Sequence, residues 1–457
     1  MSEQGVHQGD PLGPLLFCLS IHHIITKIST EFNGWYLDDG SIGDKANVVL
    51  ENFRYTISHS KDLGLELNFE KCELIFLDKQ DPNIIDQFNL IAPGIRVIEK
   101  PNWFLLGVPL SDDALKFCLQ EKLQSLRVMS GRLSILPTHV AFHLLKNSLA
   151  IPKLSYILRC SPTWHDEQGL QNVDDELRRM LELITNNRIE DETWLQASLP
   201  VSRGGLGIRS ATSLALPSFL SSFCSVSDLI EIILQYPKPI SDCVFDRGKS
   251  RWESKTGQTM KIEDMKNQKA WDKPLLDQAT SILLKTASDT SKNKARLLAV
   301  TVQESGAWLN AVPVASLGTL LDDDSFRLAI GFRLGTPLCV QPICKCGAFV
   351  DESGTHGLSC RFSAGRLSRH YAINDLIKRA LTSAKIPAIL EPIGSSRDDG
   401  KRPDGMTLVP WKNGKSVVWD LSRYISNLPS SCYFCESRCC CFFRRKFQTT
   451  EISEFGK

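Results

Sequence analysis

After Pro11 the apolar residues Leu12, Leu15, Leu16, Leu19, Ile24, Ile25 and Ile28 recur at three- and four-residue steps, which predicts a helix with one wet side. Asn33-Gly34 and the short run Trp35-Tyr36-Leu37 predict a strand. It breaks at Asp38-Asp39-Gly40, a turn carrying two carboxylates. Val48, Val49, Phe53 and Ile57 predict a second amphipathic helix, ending near Leu63-Gly64 where glycine takes the left-handed cap. Residues 65–67, 74–77 and 104–110 read as strands, and helical periodicity dominates 112–236, punctuated by Pro137, Pro152, Pro162, Pro200 and Arg203-Gly204-Gly205. The polar stretch 250–294 reads as a linker. Beyond Cys344 the texture changes to a Cys/His cluster, a basic helix over about 367–383, and strands at 406–409 and 416–419 around an Asn413-Gly414 turn. From Arg423 onward periodicity gives way to a Cys-rich, basic tail.

A length of 457 residues sets a prior of about three domains at roughly 150 residues each. Lys plus Arg number 53 against 52 Asp plus Glu, a net charge of +1, so any nucleic-acid surface has to be local. With 42% hydrophobic and 23% charged residues, disorder is excluded as the main state. The apolar stretch 13–21 stops at His22-His23, short of the roughly 20 residues that cross a bilayer, so no membrane partner is expected. Ser2, Glu3 and Gln4 follow Met1 with no basic and then apolar leader, so the expected compartment is intracellular and reducing. There the 15 cysteines serve as thiols or metal ligands.

Adjacent Asp38 and Asp39 in a tight hairpin put two hard oxygen ligands on an exposed apex, a set that suits Mg²⁺ with waters and substrate phosphates. Gly5-Val6-His7-Gln8-Gly9-Asp10-Pro11-Leu12-Gly13-Pro14 stands upstream, and Gly64-Leu65-Glu66-Leu67-Asn68-Phe69-Glu70-Lys71 downstream. In that order these strings resemble the palm motifs of reverse transcriptases of non-LTR retrotransposons. Tyr36-Leu37-Asp38-Asp39 resembles the catalytic box, Phe104-Leu105-Leu106-Gly107 the primer-grip hairpin. The resemblance implies that Asp38, and secondarily Asp39, hold two metal ions. Gln8 and Gly9 would pack on the template–nucleotide pair, Phe104 and Gly107 would hold the primer, and Lys71 would neutralise the leaving pyrophosphate. It also implies a further metal-binding aspartate on a palm strand ahead of Gln8. Only seven residues precede Gln8, so little or no polymerase activity is expected of this chain, which reads as the carboxy-terminal portion of a polyprotein.

Cys344-Lys345-Cys346 followed by His356 and Cys360 supplies the four ligands of a closed structural Zn²⁺ site, with Gly347, Gly354 and Gly357 for the sharp turns; Cys339 lies outside the pattern. Residues 361–380 hold Arg361, Arg366, Arg369, Lys378 and Arg379 against Asp375 alone, a local basic surface suited to phosphates. Setting Lys412 opposite Lys415 places Asp420 opposite Thr407, with Asp404 just beyond at the same open end. A Cys-Cys-His-Cys motif followed by Pro403-Asp404 and a second acidic strand resembles the restriction-like endonuclease of site-specific non-LTR retrotransposons. That resemblance makes Asp404 and Asp420 ligands of a divalent metal, with Glu391 as a third candidate. The lysine such nucleases need after the second carboxylate is replaced by Leu421-Ser422-Arg423, so this catalytic site too reads as incomplete.

The expected fold class is α+β. It divides into a partial reverse transcriptase palm (1–110), a helical thumb or connector (111–236), a linker and helical region (237–340), a zinc knuckle plus truncated restriction-like α/β nuclease (341–422), and an aberrant Cys-rich tail (423–457). The expected function is that of a retrotransposon polyprotein segment with RNA-directed DNA polymerase and DNA endonuclease ancestry, acting in the nucleus on an RNA template and a DNA primer or target. Nucleotides would be its only small-molecule substrates. The alternative is a non-catalytic nucleic-acid-binding remnant.

Overall fold

In the computed structural model, residues 9–234, 243–287, 291–360, 362, 365–393, 402–411 and 414–419 are described. The chain runs through α1 (Gly13–Ile25), the antiparallel hairpin β1 (Phe32–Tyr36) and β2 (Asp39–Gly43), and α2 (Ala46–Asp62). Then come β3 (Glu73–Leu74), α3 (Pro82–Ile91), β4 (Arg96–Val97) parallel to β3, and a second hairpin of β5 (Phe104–Leu105) and β6 (Val108–Pro109). Helices follow: α4 (Asp112–Leu133), α5 (Thr138–Leu144), α6 (Ile151–Cys160), α7 (Glu167–Thr185), α8 (Asp191–Ala197), α9 (Ala211–Leu234), α10 (Cys243–Thr256), α11 (Gln268–Thr286), α12 (Ser291–Val300) and α13 (Asp323–Leu334). The described part closes with α14 (His356–Ser359), α15 (Gly365–Ser383) and a three-stranded antiparallel sheet, β7 (Ala388–Leu390), β8 (Gly405–Thr407) and β9 (Val418–Trp419), in that order. The architecture is mixed helix and sheet, mostly helical.

Two compact units emerge. One comprises Met1–Leu136, His143–Met180 and Ile208–Ser281; the other comprises Pro137–Phe142, Leu181–Gly207 and Ile282–Lys457. In the first, α4 is started by Ser111, whose hydroxyl accepts from the Ala114 N–H at 3.1 Å, with Asp112 and Asp113 favourably placed at the positive end of the helix. Helix α2 ends as predicted, with Gly64 left-handed at φ +74°. Helix α1 also forms, but its wet side is wrong. Leu12, Leu15, Leu16 and Leu19 are 48–61% exposed, while Gly13, Ile21 and Ile24 are buried.

The polar stretch 250–294 is not a linker. Its described residues include most of α10, all of α11 and the start of α12; Trp252 of α10 and Trp271 of α11 meet edge to face at 4.8 Å, the Trp252 Nε1–H donating to the Trp271 carbonyl at 2.9 Å. Two buried aromatics fix the region although most of its residues are polar. Helix α9 is long and apolar enough over 211–232 to cross a membrane, by length and composition alone. Its first half lies in the core, with Ala211, Leu216 and Leu220 at most 4% exposed.

Asp174 of α7 anchors the start of α9. Its carboxylate, 2% exposed, accepts from Ser210 Oγ at 2.7 Å, the Ala211 N–H at 2.6 Å and the Thr212 N–H at 3.2 Å. Burial nevertheless raises its carboxyl above the usual range, because the charged form loses its water. Asp174→Ala strands these donors and is expected to cost about 3 kcal/mol in chemical denaturation. Between the ordinary carboxyl value near about 4 and the raised folded one, the folded state binds the extra proton, so this group's contribution to stability falls as pH rises. Asp174→Asn should remove that slope.

In the second unit Phe326 is fully buried, stacked on His139 at 4.4 Å and tilted against Phe142 at 5.3 Å. Arg333, 4% exposed, donates to the carbonyls of Gly205 and Val201 at 3.0 Å and of Ser305 and Val300 at 3.3 Å. Burial lowers its pKa to about 10. This guanidinium ties the 201–205 turn to the end of α12, which no local pattern announces.

Candidate metal centre and nucleic-acid interface

The Cys/His cluster folds as two tight turns that face each other. In the first, the Cys344 N–H donates to the Ala348 carbonyl at 2.9 Å and the Gly347 N–H to the Cys344 carbonyl at 2.8 Å. Gly347 takes φ +85°, where a side chain is strained, and this reversal keeps Cys344 and Cys346 on one side. In the second, His356 opens α14 and the Cys360 N–H donates to the His356 carbonyl at 2.9 Å, setting both ligands one turn apart. Cys344 Sγ lies 3.6 Å from Cys360 Sγ and Cys346 Sγ 3.2 Å from His356 Nε2.

All four ligand atoms lie within 4.8 Å of one another. A tetrahedral ion with Zn–S bonds of about 2.3 Å holds its sulfurs about 3.8 Å apart, a spacing that Cys344 and Cys360 match at 3.6 Å while the other ligand atoms stand within 4.8 Å. The Phe362 N–H also points at Cys360 Sγ, 3.4 Å away, a bond that would offset thiolate charge. Cys339 stays outside, its thiol directed at the Asp351 carbonyl at 3.4 Å. These residues form a Cys3His group that can hold one structural zinc.

Helix α15 follows and matches the predicted basic helix. Lys378 and Arg379 are exposed, and Arg379 pairs with Asp375 at 2.9 Å, a surface contact of small energetic weight. Arg366 and Arg369 occupy its first turns; their side chains lie outside the described residues, as does Arg361.

The adjoining sheet corrects the predicted register. Met406 pairs with Val418 and Gly405 with Trp419, whereas a two-residue turn at Asn413-Gly414 would have set Val418 opposite Val409. The Trp411 N–H bonds the Lys415 carbonyl at 2.8 Å, and the Thr407 hydroxyl both accepts from the Val417 N–H at 3.0 Å and donates to the Val409 carbonyl, so a wider turn replaces the tight one. Gly405 is required because the Trp419 indole lies against it, in the space a Cβ would take. At the same end of the sheet Glu391 stands opposite Asp404, its N–H donating to the Asp404 carbonyl at 3.0 Å. Asp404 is 9% exposed and Glu391 exposed, which leaves two carboxylates at one strand end; Asp420 and Asn413 lie outside the described residues.

Two residues that sequence reasoning passed over reach this end. His370 Nε2 lies 3.0 Å from Asp404 Oδ1, and Asn374, one turn on, is 2% exposed. The only signal was their i, i+4 spacing on one face of α15.

In the first unit, β1 and β2 pair Tyr36 with Asp39, so the turn is Leu37-Asp38 and Asp39 begins a strand instead of belonging to the turn. Asp38 and Asp39 are both exposed, as is Tyr36 at 64%. Gly40 faces Trp35, whose ring a Cβ would meet at 2.5 Å. Gly9 is exposed with φ +93°; Gln8 lies outside the described residues. Lys71 is exposed at the end of a short 3₁₀ turn, not on the strand beside it. Phe104 and Gly107 do form a tight hairpin, with Leu106 at φ +49° and Gly107 at +77°, and Tyr156 of α6 donates its hydroxyl to the Leu106 carbonyl at 2.7 Å. Among the described residues, the Cys3His group is the one set of three or more His, Cys, Asp or Glu that closes on a common point. Among the described residues neither Asp38 with Asp39 nor Asp404 with Glu391 gathers a third carboxylate.

No family model matches the chain. Over 219 residues it is 23% identical to the retrotransposable element SLACS 132 kDa protein of Trypanosoma brucei gambiense, a match that takes in 47% of this chain and 18% of that protein. The chain thus spans less than a fifth of the relative it matches. By that match it is a distant, partial relative of a retrotransposable-element protein.

Proposed function

We propose that the chain is the part of a site-specific non-LTR retrotransposon polyprotein that binds nucleic acid and carries portions of two active centres, an RNA-directed DNA polymerase palm and a restriction-like endonuclease. The observation that carries this reading is the order of parts within 344–419: a gathered Cys3His group, a basic helix, and a three-stranded sheet with Asp404 and Glu391 at one end. The distant retrotransposable-element relative supports it.

Two exposed carboxylates on a hairpin fit one Mg²⁺ completed by water and phosphate, so Asp38 and Asp39 would hold polymerase metal, and Asp404 with Asp420 that of the endonuclease. Bound there, such ions align reacting oxygens and neutralise charge in phosphoryl transfer. Gln8, Gly9, Phe104 and Gly107 would seat template, nucleotide and primer, Lys71 would face the departing pyrophosphate, and the DNA target places the action in the nucleus. The lack of a third acidic ligand at either carboxylate pair among the described residues favours binding without turnover by this chain alone.

The test is duplex-DNA binding against salt concentration. Four contacts from Arg366, Arg369, Lys378 and Arg379 give a log-log slope of roughly −3 to −4, at about −0.9 per phosphate neutralised. Replacing Arg366 and Arg369 by alanine should flatten the slope by about two contacts' worth. No cleavage is expected in Mg²⁺ or Mn²⁺. A slope unchanged by the double replacement would remove the helix from the interface.

A further inference from the structure

Beneath α15 runs a line of polar groups that the Cys3His group does not use. The Trp419 Nε1–H donates to Asn374 Oδ1 at 3.2 Å, Asn374 Nδ2 lies 3.4 Å from His370 Nδ1, and His370 Nε2 lies 3.0 Å from Asp404 Oδ1. Its direction follows from chemistry. An indole N–H only donates, so the Asn374 oxygen faces it and the Asn374 amide donates to His370 Nδ1. That leaves the imidazole proton on Nε2, aimed at the Asp404 carboxylate; the tautomer is thus assigned from the network. The His370 and Asp404 side chains are only 16% and 12% exposed, so water competes little for the bond.

Building on the endonuclease reading, we infer that His370 is a positioning residue: held by Asn374 and Trp419, it fixes the plane of the Asp404 carboxylate and so prepares it to ligate a divalent metal. A hydrogen bond to one oxygen sets the plane of that carboxylate before the ion arrives. Such outer partners of metal ligands are worth roughly 10- to 100-fold in metal affinity.

The experiment is a Mn²⁺ titration of the zinc-loaded full chain followed by electron paramagnetic resonance, with Asp38→Ala and Asp39→Ala present throughout to silence the other carboxylate pair. A site lost in Asp404→Asn is expected. His370→Phe keeps the ring volume but removes the donor and should weaken that site about tenfold or more, with zinc content and the thermal transition retained. His370→Gln, which can again present an N–H, should recover most of the affinity. Equal Mn²⁺ affinity in His370→Phe and wild type would overturn the proposal while leaving the endonuclease reading intact. Loss of cooperative unfolding in His370→Phe would also overturn it, since the network would then be structural. If wild type shows no Asp404-dependent site, the endonuclease reading fails, and this inference with it.

Discussion

The Cys346→Ser chain is expected to contain no zinc, against one ion per wild-type chain, and to lose the fold of residues 344–360. Three sulfurs and one imidazole within 4.8 Å of one another leave little else to hold this segment. Its ligands sit on two separate turns, the Asp351–Lys292 pair that reaches out of the segment is an exposed contact of small weight, and Phe349, with Val340 and Ile343 just ahead of the segment, is 69–93% exposed, so little apolar burial compensates. In small metal modules the apparent binding free energy, about 10–16 kcal/mol for a zinc-finger peptide at neutral pH, is folding free energy. Loss of one ligand should therefore read out as disorder of the knuckle by hydrogen exchange, while the first unit keeps its protection. Equal zinc content in variant and wild type would sink the assignment.

The second large effect concerns Asp38. On the palm reading, these 457 residues by themselves are expected not to extend a primer on an RNA template, because that reading calls for a further metal-binding aspartate ahead of Gln8 and residues 1–7 contain none. Joined in one polypeptide to the fingers and first palm strand of a related polyprotein, it should gain Mg²⁺-dependent extension. In that fusion Asp38→Ala should reduce the rate about 10³-fold, the scale of losing a group that stabilises transition-state charge. Asp39 begins β2 instead of sitting in the turn, and Asp39→Ala is expected to cost less. Extension by the chain alone would overturn the expectation that its polymerase site is incomplete, and a fusion indifferent to Asp38 would contradict the palm reading.

Legibility of the fold followed how local each cause is. Helix α2 with its Gly64 cap, the basic helix α15 and the Cys3His group are written in spacings of one to four residues or in one short segment, and each is where the pattern puts it. The strand pair β3 and β4 is parallel, joined across α3, and only two residues long on each side, so no alternation could announce it. The region 250–294 reads as a linker because its composition is polar, whereas its structure depends on two indoles 19 residues apart. The β8–β9 register differs from expectation because an Asn-Gly pair does not enforce a two-residue turn once the Thr407 hydroxyl bonds Val417 and Val409. The exposed face of α1 was unreadable in principle: periodicity reports that apolar residues share a side, not that anything covers it.

On the proposed reading, a zinc-organised module gives this retrotransposon-related chain its hold on nucleic acid. The most direct measurement is the affinity of the full chain for duplex DNA at fixed low salt, before and after chelation of zinc. Affinity should fall at least about tenfold on chelation, since the knuckle fixes the start of α15 where Arg366 and Arg369 stand, and one equivalent of zinc should restore it. Unchanged affinity in protein shown to be zinc-free would contradict the account.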